Sequence, residues 1–141
     1  MYDYIEGEIV EKTPTFIVID TGNIGYFINI SLNTFTRVPD RNHCKLFIHQ
    51  IIREDAHLLF GFVNKQEREI FRQLISVSGI GANTARLILS SLTPDDVVKA
   101  INEGNVYLLK SVKGIGIKTA QRVIVDLKGK VGKEADMAEI F

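Results

Sequence analysis

The sequence predicts an α+β chain: a small antiparallel β-barrel of five strands over residues 1–63, then an all-helical domain over residues 64–131. Three observations carry this. Apolar residues alternate at period two as far as Phe62 and recur at a period near four from Lys65 onward. Residues 1–63 hold five Lys and Arg against eight acids, a net of −3, whereas residues 64–132 hold eleven against six, a net of +5. The basic half also contains a stretch that occurs twice.

In the first half, Ile5, Gly7 and Ile9 alternate with acids in a first strand. Phe16, Val18 and Asp20 share one face of a second, which runs into a Thr21-Gly22-Asn23 turn. Ile24, Tyr26, Ile28 and Ile30 share one face of a third. Leu46, Ile48 and the following Gln50-Ile51-Ile52 form a long fourth, and His57 to Phe62 a fifth. Five short strands with one irregular connection, Ser31 to Asp40, fit a small, partly open barrel of the OB type. Such barrels often bind single strands through basic grooves and stacked aromatics, and Tyr2, Tyr4, Phe16, Tyr26 and Phe27 are candidates. A net charge of −3 would repel phosphates, so these aromatics are read mainly as core. The fourth and fifth strands join through Arg53-Glu54-Asp55-Ala56; from spacing alone, Glu54 and Asp55 read as a solvated turn.

The second half contains five short helices. The first runs from Lys65 to Val77, with Ile70, Phe71, Leu74 and Ile75 inward, and the second begins after Gly81. Thr93-Pro94-Asp95-Asp96 is a strong start signal for the third: a capping hydroxyl, Pro at the first position, then acids on the helix dipole. Asn105 caps a short fourth, and the fifth follows Gly116 and ends near Gly129. Residues 132–141 read as the start of an acidic, polar linker.

Leu74 to Leu89, LISVSGIGANTARLIL, and Leu109 to Ile124, LKSVKGIGIKTAQRVI, agree at eight of sixteen positions at an offset of 35, including the skeleton Ser-Val-x-Gly-Ile-Gly-x-x-Thr-Ala. Two copies make a pseudo-symmetric pair rather than a solenoid. Each unit is a helix stopped at glycine, a tight turn, and a second helix that starts at once. The turn offers glycine backbone and the unpaired N–H groups of a helix start, at the positive end of its dipole, which is an anion site. Lys118 and Thr119 add a charge and a hydroxyl to the second copy. Neither turn is a dinucleotide or P-loop fingerprint: both follow helices, the third glycine is missing, and Gly116 and Lys118 are not adjacent. An ordinary helical corner is the plain alternative for one copy, and the repetition favours phosphate binding.

Cys44 is the one cysteine, so no internal disulfide forms. No signal peptide and no bilayer-spanning segment is evident, and a soluble cytoplasmic protein is expected. His43, His49 and His57 lack a ligand spacing, and no nucleophile–base pattern, acidic metal cluster or cofactor motif appears. No catalytic residue, metal or cofactor is therefore expected.

The two Gly-Ile-Gly units resemble helix-hairpin-helix motifs, which hold DNA backbones without reading bases. The start MYDYIEGEIV, the run IIREDAHLLFGF and both hairpins, in this order, resemble the RuvA family of Holliday-junction-binding subunits over essentially all 141 residues. The resemblance implies that Glu54 and Asp55 are an acidic pin at the junction centre, reversing the plain reading of that turn. It implies backbone contacts from Gly79, Gly81, Asn83 and Thr84 in one hairpin and from Gly114, Gly116, Lys118, Thr119 and Arg122 in the other. It further implies a homotetramer on a four-way DNA junction, singly or as paired tetramers, in recombination and repair. The RuvB ATPase would drive branch migration and RuvC make the resolving cuts, with no membrane involved. Asn83 stands where a basic residue is common, so the first hairpin is expected to grip phosphate less strongly than the second. The family's third domain, which docks onto RuvB, would follow the linker, so these residues are expected to bind junctions without recruiting the motor. Two rivals remain: a glycosylase-like helix-hairpin-helix enzyme, for which Asp126 is the nearby acid but no Gly-Pro precedes it, and a scaffold whose hairpins only pack.

Overall fold

A computed structural model describes residues 1–132, so nearly all of the expected linker lies outside the described residues. The chain divides into two compact units, Met1–Arg68 and a second that begins at Glu69.

In the first unit, β1 (Tyr4–Lys12), β2 (Phe16–Asp20) and β3 (Gly25–Ile30) form an antiparallel meander. The antiparallel pair β4 (His43–Ile52) and β5 (His57–Phe62) joins it through β1·β4. The barrel is closed, in the order β1-β2-β3-β5-β4, rather than partly open. Closure comes from a short parallel contact, Asn29↔Phe60 and Ile30↔Gly61. Alternation shows which face of a strand is apolar but not which strand it meets, so the pattern carries no sign of this contact.

Ile5, Ile17, Ile19, Ile28, Ile30, Leu46 and Ile48 fill the interior. Gly7 faces inward where β1 meets β2; a Cβ there would lie 2.3 Å from the Asp20 carbonyl oxygen. A bulge between Ile9 and Glu11 adds Val10 to β1, and bulges of this kind bend a strand at a barrel rim.

The same parity corrects the reading of the aromatics. With Ile5 and Gly7 inward, Tyr4 must point outward, and it is 49% exposed; Tyr2 and Phe27 are 46% and 54% exposed. Phe16 and Tyr26 are half-buried. Phe16 and Phe27 stack on each other at 4.4 Å between centroids, and the Lys45 ammonium sits 4.1 Å from the Tyr4 ring centroid.

The connection Ser31 to Asp40 is not irregular throughout. It holds a helix, α1 (Leu32–Arg37), whose cap is Ser31 Oγ accepting from the Thr34 amide at 3.1 Å. Six residues are too few to show a helical stripe. The element is completed from far along the chain: the buried Glu67 carboxylate accepts hydrogen bonds from Ser31, Asn33 and Thr34 side chains. Next to it, buried Arg68 donates to the Asp3 carbonyl and carboxylate, both at 2.8 Å, and to the Ile48 carbonyl at 3.3 Å.

On the outer face of the barrel His43 Nε2 lies 2.9 Å from a Glu6 carboxylate oxygen and Nδ1 lies 3.6 Å from Glu8. The Glu6 hydrogen bond raises the imidazole pKa above 6.5; burial opposes it, and the charges of Glu6 and Glu8 add to it. A folded-state pKa above the unfolded one contributes stability fully present below about 6.5 and lost as pH rises through the folded value. In a proton NMR titration His43 is expected to titrate above 6.5, and Glu6→Gln is expected to lower its midpoint.

The helical part consists of α2 (Lys65–Ile75), α3 (Ala82–Ser91), α4 (Pro94–Asn102), α5 (Val106–Lys110) and α6 (Ile117–Leu127), the five expected helices. The unit boundary falls within α2. Ile70, Phe71, Leu74, Ala85, Ile88, Leu89, Val97, Ile101, Leu109, Ala120, Val123 and Leu127 are all buried, at helical spacings. The Gln73 side chain clamps the end of the described chain, donating to the Lys130 carbonyl at 3.2 Å and accepting from the Gly132 amide at 3.1 Å. Among the described residues no helix is long and apolar enough to cross a membrane, and no cluster of three His, Cys, Asp or Glu is placed to hold a metal ion.

Candidate nucleic-acid interface

The repeat in the sequence is a repeat in the backbone. Gly79 and Gly114 both take positive φ, 94° and 91°, a conformation that costs glycine nothing and turns the chain sharply after the preceding helix. Ile80 and Ile115 are buried, and their amides donate to Val77 and Val112 carbonyls at 3.0 and 3.1 Å. Gly81 and Gly116 then cap α3 and α6, with φ and ψ of −86° and 173° in one, −85° and 171° in the other.

These last two glycines are not explained by the fold. Their φ values suit any residue, and a Cβ at either would meet no atom within 4 Å. Cap positions favour Ser, Thr, Asp or Asn, whose side chains accept from the first-turn amides. The other described helices follow that rule. Ser31 caps α1, Thr93 accepts from Asp96 in α4, and Asn105 accepts from Leu108 in α5. Asn64 Oδ1 accepts from the Glu67 amide at 2.8 Å at the start of α2. Among the described helices only α3 and α6 begin without a side-chain cap. Their first amides have no capping side chain and lie at the positive end of the dipole, the kind of helix start that suits an anion.

The two turns are neighbours: a Cβ at Gly79 would come within 4.0 Å of Thr119 Oγ1, whereas one at Gly114 meets no atom within 4 Å. Gly79, Gly81, Asn83, Gly114, Gly116, Lys118 and Arg122 are exposed, and Thr84 and Thr119 are half-buried. Lys118 and Arg122 stand one turn apart on α6. Lys113, exposed in the second turn beside Gly114, extends the basic set beyond the residues the motif points to. Sequence reasoning also misses Arg86, whose Nη2 donates to Asn83 Oδ1 at 2.8 Å; their three-residue spacing on one helix is the available signal. Asp126 is exposed on α6.

Glu54 and Asp55 are exposed at the tip of β4–β5, in a turn closed by the Arg53 amide donating to the Ala56 carbonyl at 2.8 Å. β1 pairs with β4 only as far as Phe47, and β3 meets β5 only at Phe60 and Gly61. The ladder Gln50↔Leu59, Ile51↔Leu58 and Ile52↔His57 therefore continues as a two-stranded ribbon, and Ile52 is 67% exposed.

Comparison with known proteins accounts for both parts. A family model described as RuvA N terminal domain matches residues 1–61, and one described as SAM-like Helix-hairpin-helix tandem matches residues 71–129. A relative from Bacteroides fragilis, named Holliday junction branch migration complex subunit RuvA, is 58% identical over 131 residues, 93% of this chain and 65% of the relative. Relatives of the same name from Flavobacterium psychrophilum and Christiangramia forsetii are 53% and 52% identical, over 99% and 100% of this chain and 72% and 73% of their own lengths. The chain thus spans about 65% of the length of the Bacteroides relatives it matches. With both halves matched in order and identity above one half across nearly every residue, the chain belongs to the RuvA family.

Proposed function

We propose that the chain recognises four-way DNA junctions by shape, seating sugar–phosphate backbones on the turns Gly79–Thr84 and Gly114–Thr119 without reading bases. The observation that carries this is the pair of bare helix starts at Gly81 and Gly116, left uncapped where the other described helices are capped. Phosphates held by main-chain N–H groups fix position but carry no sequence information. Lys118 and Arg122 add charge at the second turn.

One helix-start contact is worth about 0.3–1 kcal/mol, rising to about 2 kcal/mol when partly buried. Two per chain give weak binding. Four chains on four arms multiply it through effective concentration, so a homotetramer, alone or with a second tetramer, is the assembly that fits the task. The carboxylates of Glu54 and Asp55 at the ribbon tip would stand at the crossover, repel converging phosphates and keep the arms unstacked. As the relatives' name places them in a branch migration complex, we read this chain as the DNA-recognition part of a RuvAB helicase, with ATP hydrolysis assigned to RuvB and strand cutting to RuvC.

The test is a gel-shift comparison of four-way, duplex and single-stranded DNA in two unrelated sequences across a salt series. Four-way DNA is expected to bind tightest in both sequences, with affinity falling at a log–log slope of about −0.9 per phosphate neutralised. Equal binding of all three forms, or a strong preference for one sequence, would overturn the reading. Glu54→Gln with Asp55→Asn is expected to keep or raise affinity for junction and duplex while narrowing the difference between them; loss of folding in that double variant would mark the pair as structural.

A further inference from the structure

The two hairpins differ where charge matters. At the second position of the helix the first has Asn83 and the second Lys118; three residues on, the first has Arg86 and the second Gln121. Each copy thus carries one cation and one side-chain amide, with the two positions exchanged. The Arg86 side chain runs back toward the start of α3, where Nη2 donates to Asn83 Oδ1 at 2.8 Å, so its charge is delivered beside the residue that occupies the place of Lys118. Arg86 is half-buried and Asn83 exposed. Burial lowers the Arg86 pKa from its usual value, but a guanidinium in a protein keeps its charge.

We infer that Arg86 is the phosphate-neutralising cation of the first hairpin and that Asn83 is the amide that holds it over the start of α3. This rests on the phosphate-seating reading of the hairpins given above. A guanidinium bonded to Asn83 through Nη2 keeps its positive charge, and the bond places that charge beside the start of α3. The first hairpin is then not without a cation: it presents backbone amides and the Arg86 charge, where the second presents backbone amides with Lys118 and Arg122.

Salt-dependent binding to a four-way junction tests this with Arg86→Gln, Lys118→Ala and the double variant Asn83→Lys with Arg86→Gln. Arg86→Gln is expected to weaken binding as much as Lys118→Ala does and to flatten the salt slope by about 0.9 for each phosphate that is no longer neutralised. The double variant, which places the cation as the second hairpin does, is expected to restore both. If Lys118→Ala weakens binding and Arg86→Gln does not, the assignment of Arg86 falls while the hairpin reading stands. If neither changes binding, the hairpin reading falls with it. Failure of the double variant to recover the slope would also overturn the assignment, because a packing role for Arg86 would not be repaired by a lysine at position 83. Should Arg86→Gln fail to fold, Asn83→Ala, at an exposed site, takes its place: weakened binding supports the inference and unchanged binding overturns it.

Discussion

Replacing Gly81 and Gly116 together with Asp is expected to make the helical unit more stable and to abolish junction binding. Both glycines already have the backbone angles of a helix cap, and both have open space where a side chain would go. An Asp carboxylate there accepts from the first-turn amides and lies on the positive end of the dipole, a gain of about 0.3–1 kcal/mol at each helix. The same carboxylate occupies the position proposed for a phosphate oxygen and repels the rest of the backbone. With both turns blocked in every copy of an assembly, a loss of at least about a hundredfold is expected. Urea unfolding and gel shifts on one preparation read the two effects. Opposite signs are the expected result; a variant that is stabilised and still binds normally would show that the bare caps are not where DNA sits.

Glu67→Ala is expected to have the largest effect on folding, a loss of about 2–4 kcal/mol. The carboxylate is fully buried and is the acceptor for three side chains of the α1 region, from Ser31, Asn33 and Thr34, so its removal leaves buried donors unmatched and opens a hole. Burial raises its pKa above 4.5, opposed by the Thr34, Asn33 and Ser31 hydrogen bonds and then by the charge of Arg37. The native state therefore holds this proton more tightly than the unfolded chain does. The stability gained this way is complete below about 4.5 and is lost as pH rises through the folded value. Urea midpoints followed from pH 4 to 8 are expected to show that decline in the parent chain and a flatter profile in Glu67→Gln. An unchanged midpoint in Glu67→Ala would mean that water satisfies the three donors.

The features readable from the sequence are those fixed by local chemistry. Ile28 and Ile30, Leu46 and Ile48 mark strands by alternation, and all four are in the barrel core. In the second strand the face named by Phe16, Val18 and Asp20 is the half-buried one, and Ile17 and Ile19 between them fill the core. Thr93 and Asn105 mark helix starts because a short polar side chain reaches its own backbone, and both do so. The Gly-Ile-Gly turns are visible because the same mechanical problem is solved twice. The features that escape depend on partners distant in sequence. α1 is held by Glu67, more than thirty residues away, and the barrel closes through two parallel pairs. The net charge of −3 argues Tyr4 and Phe27 away from nucleic acid and into the core, although the parity set by Ile5 and Ile28 turns them outward. Arg86 escapes for a subtler reason: comparing the hairpins position by position hides a charge that reaches the same place from one turn along.

The central claim, that the first amides of α3 and α6 hold the DNA backbone, is tested most directly by amide hydrogen exchange with and without a four-way junction at low salt. Exchange at residues 82–84 and 117–119 is expected to be fast in the protein alone, where no side chain caps these helices, and to slow in both segments together when the junction binds. Junction binding that slows exchange elsewhere and leaves both segments unchanged would contradict the account.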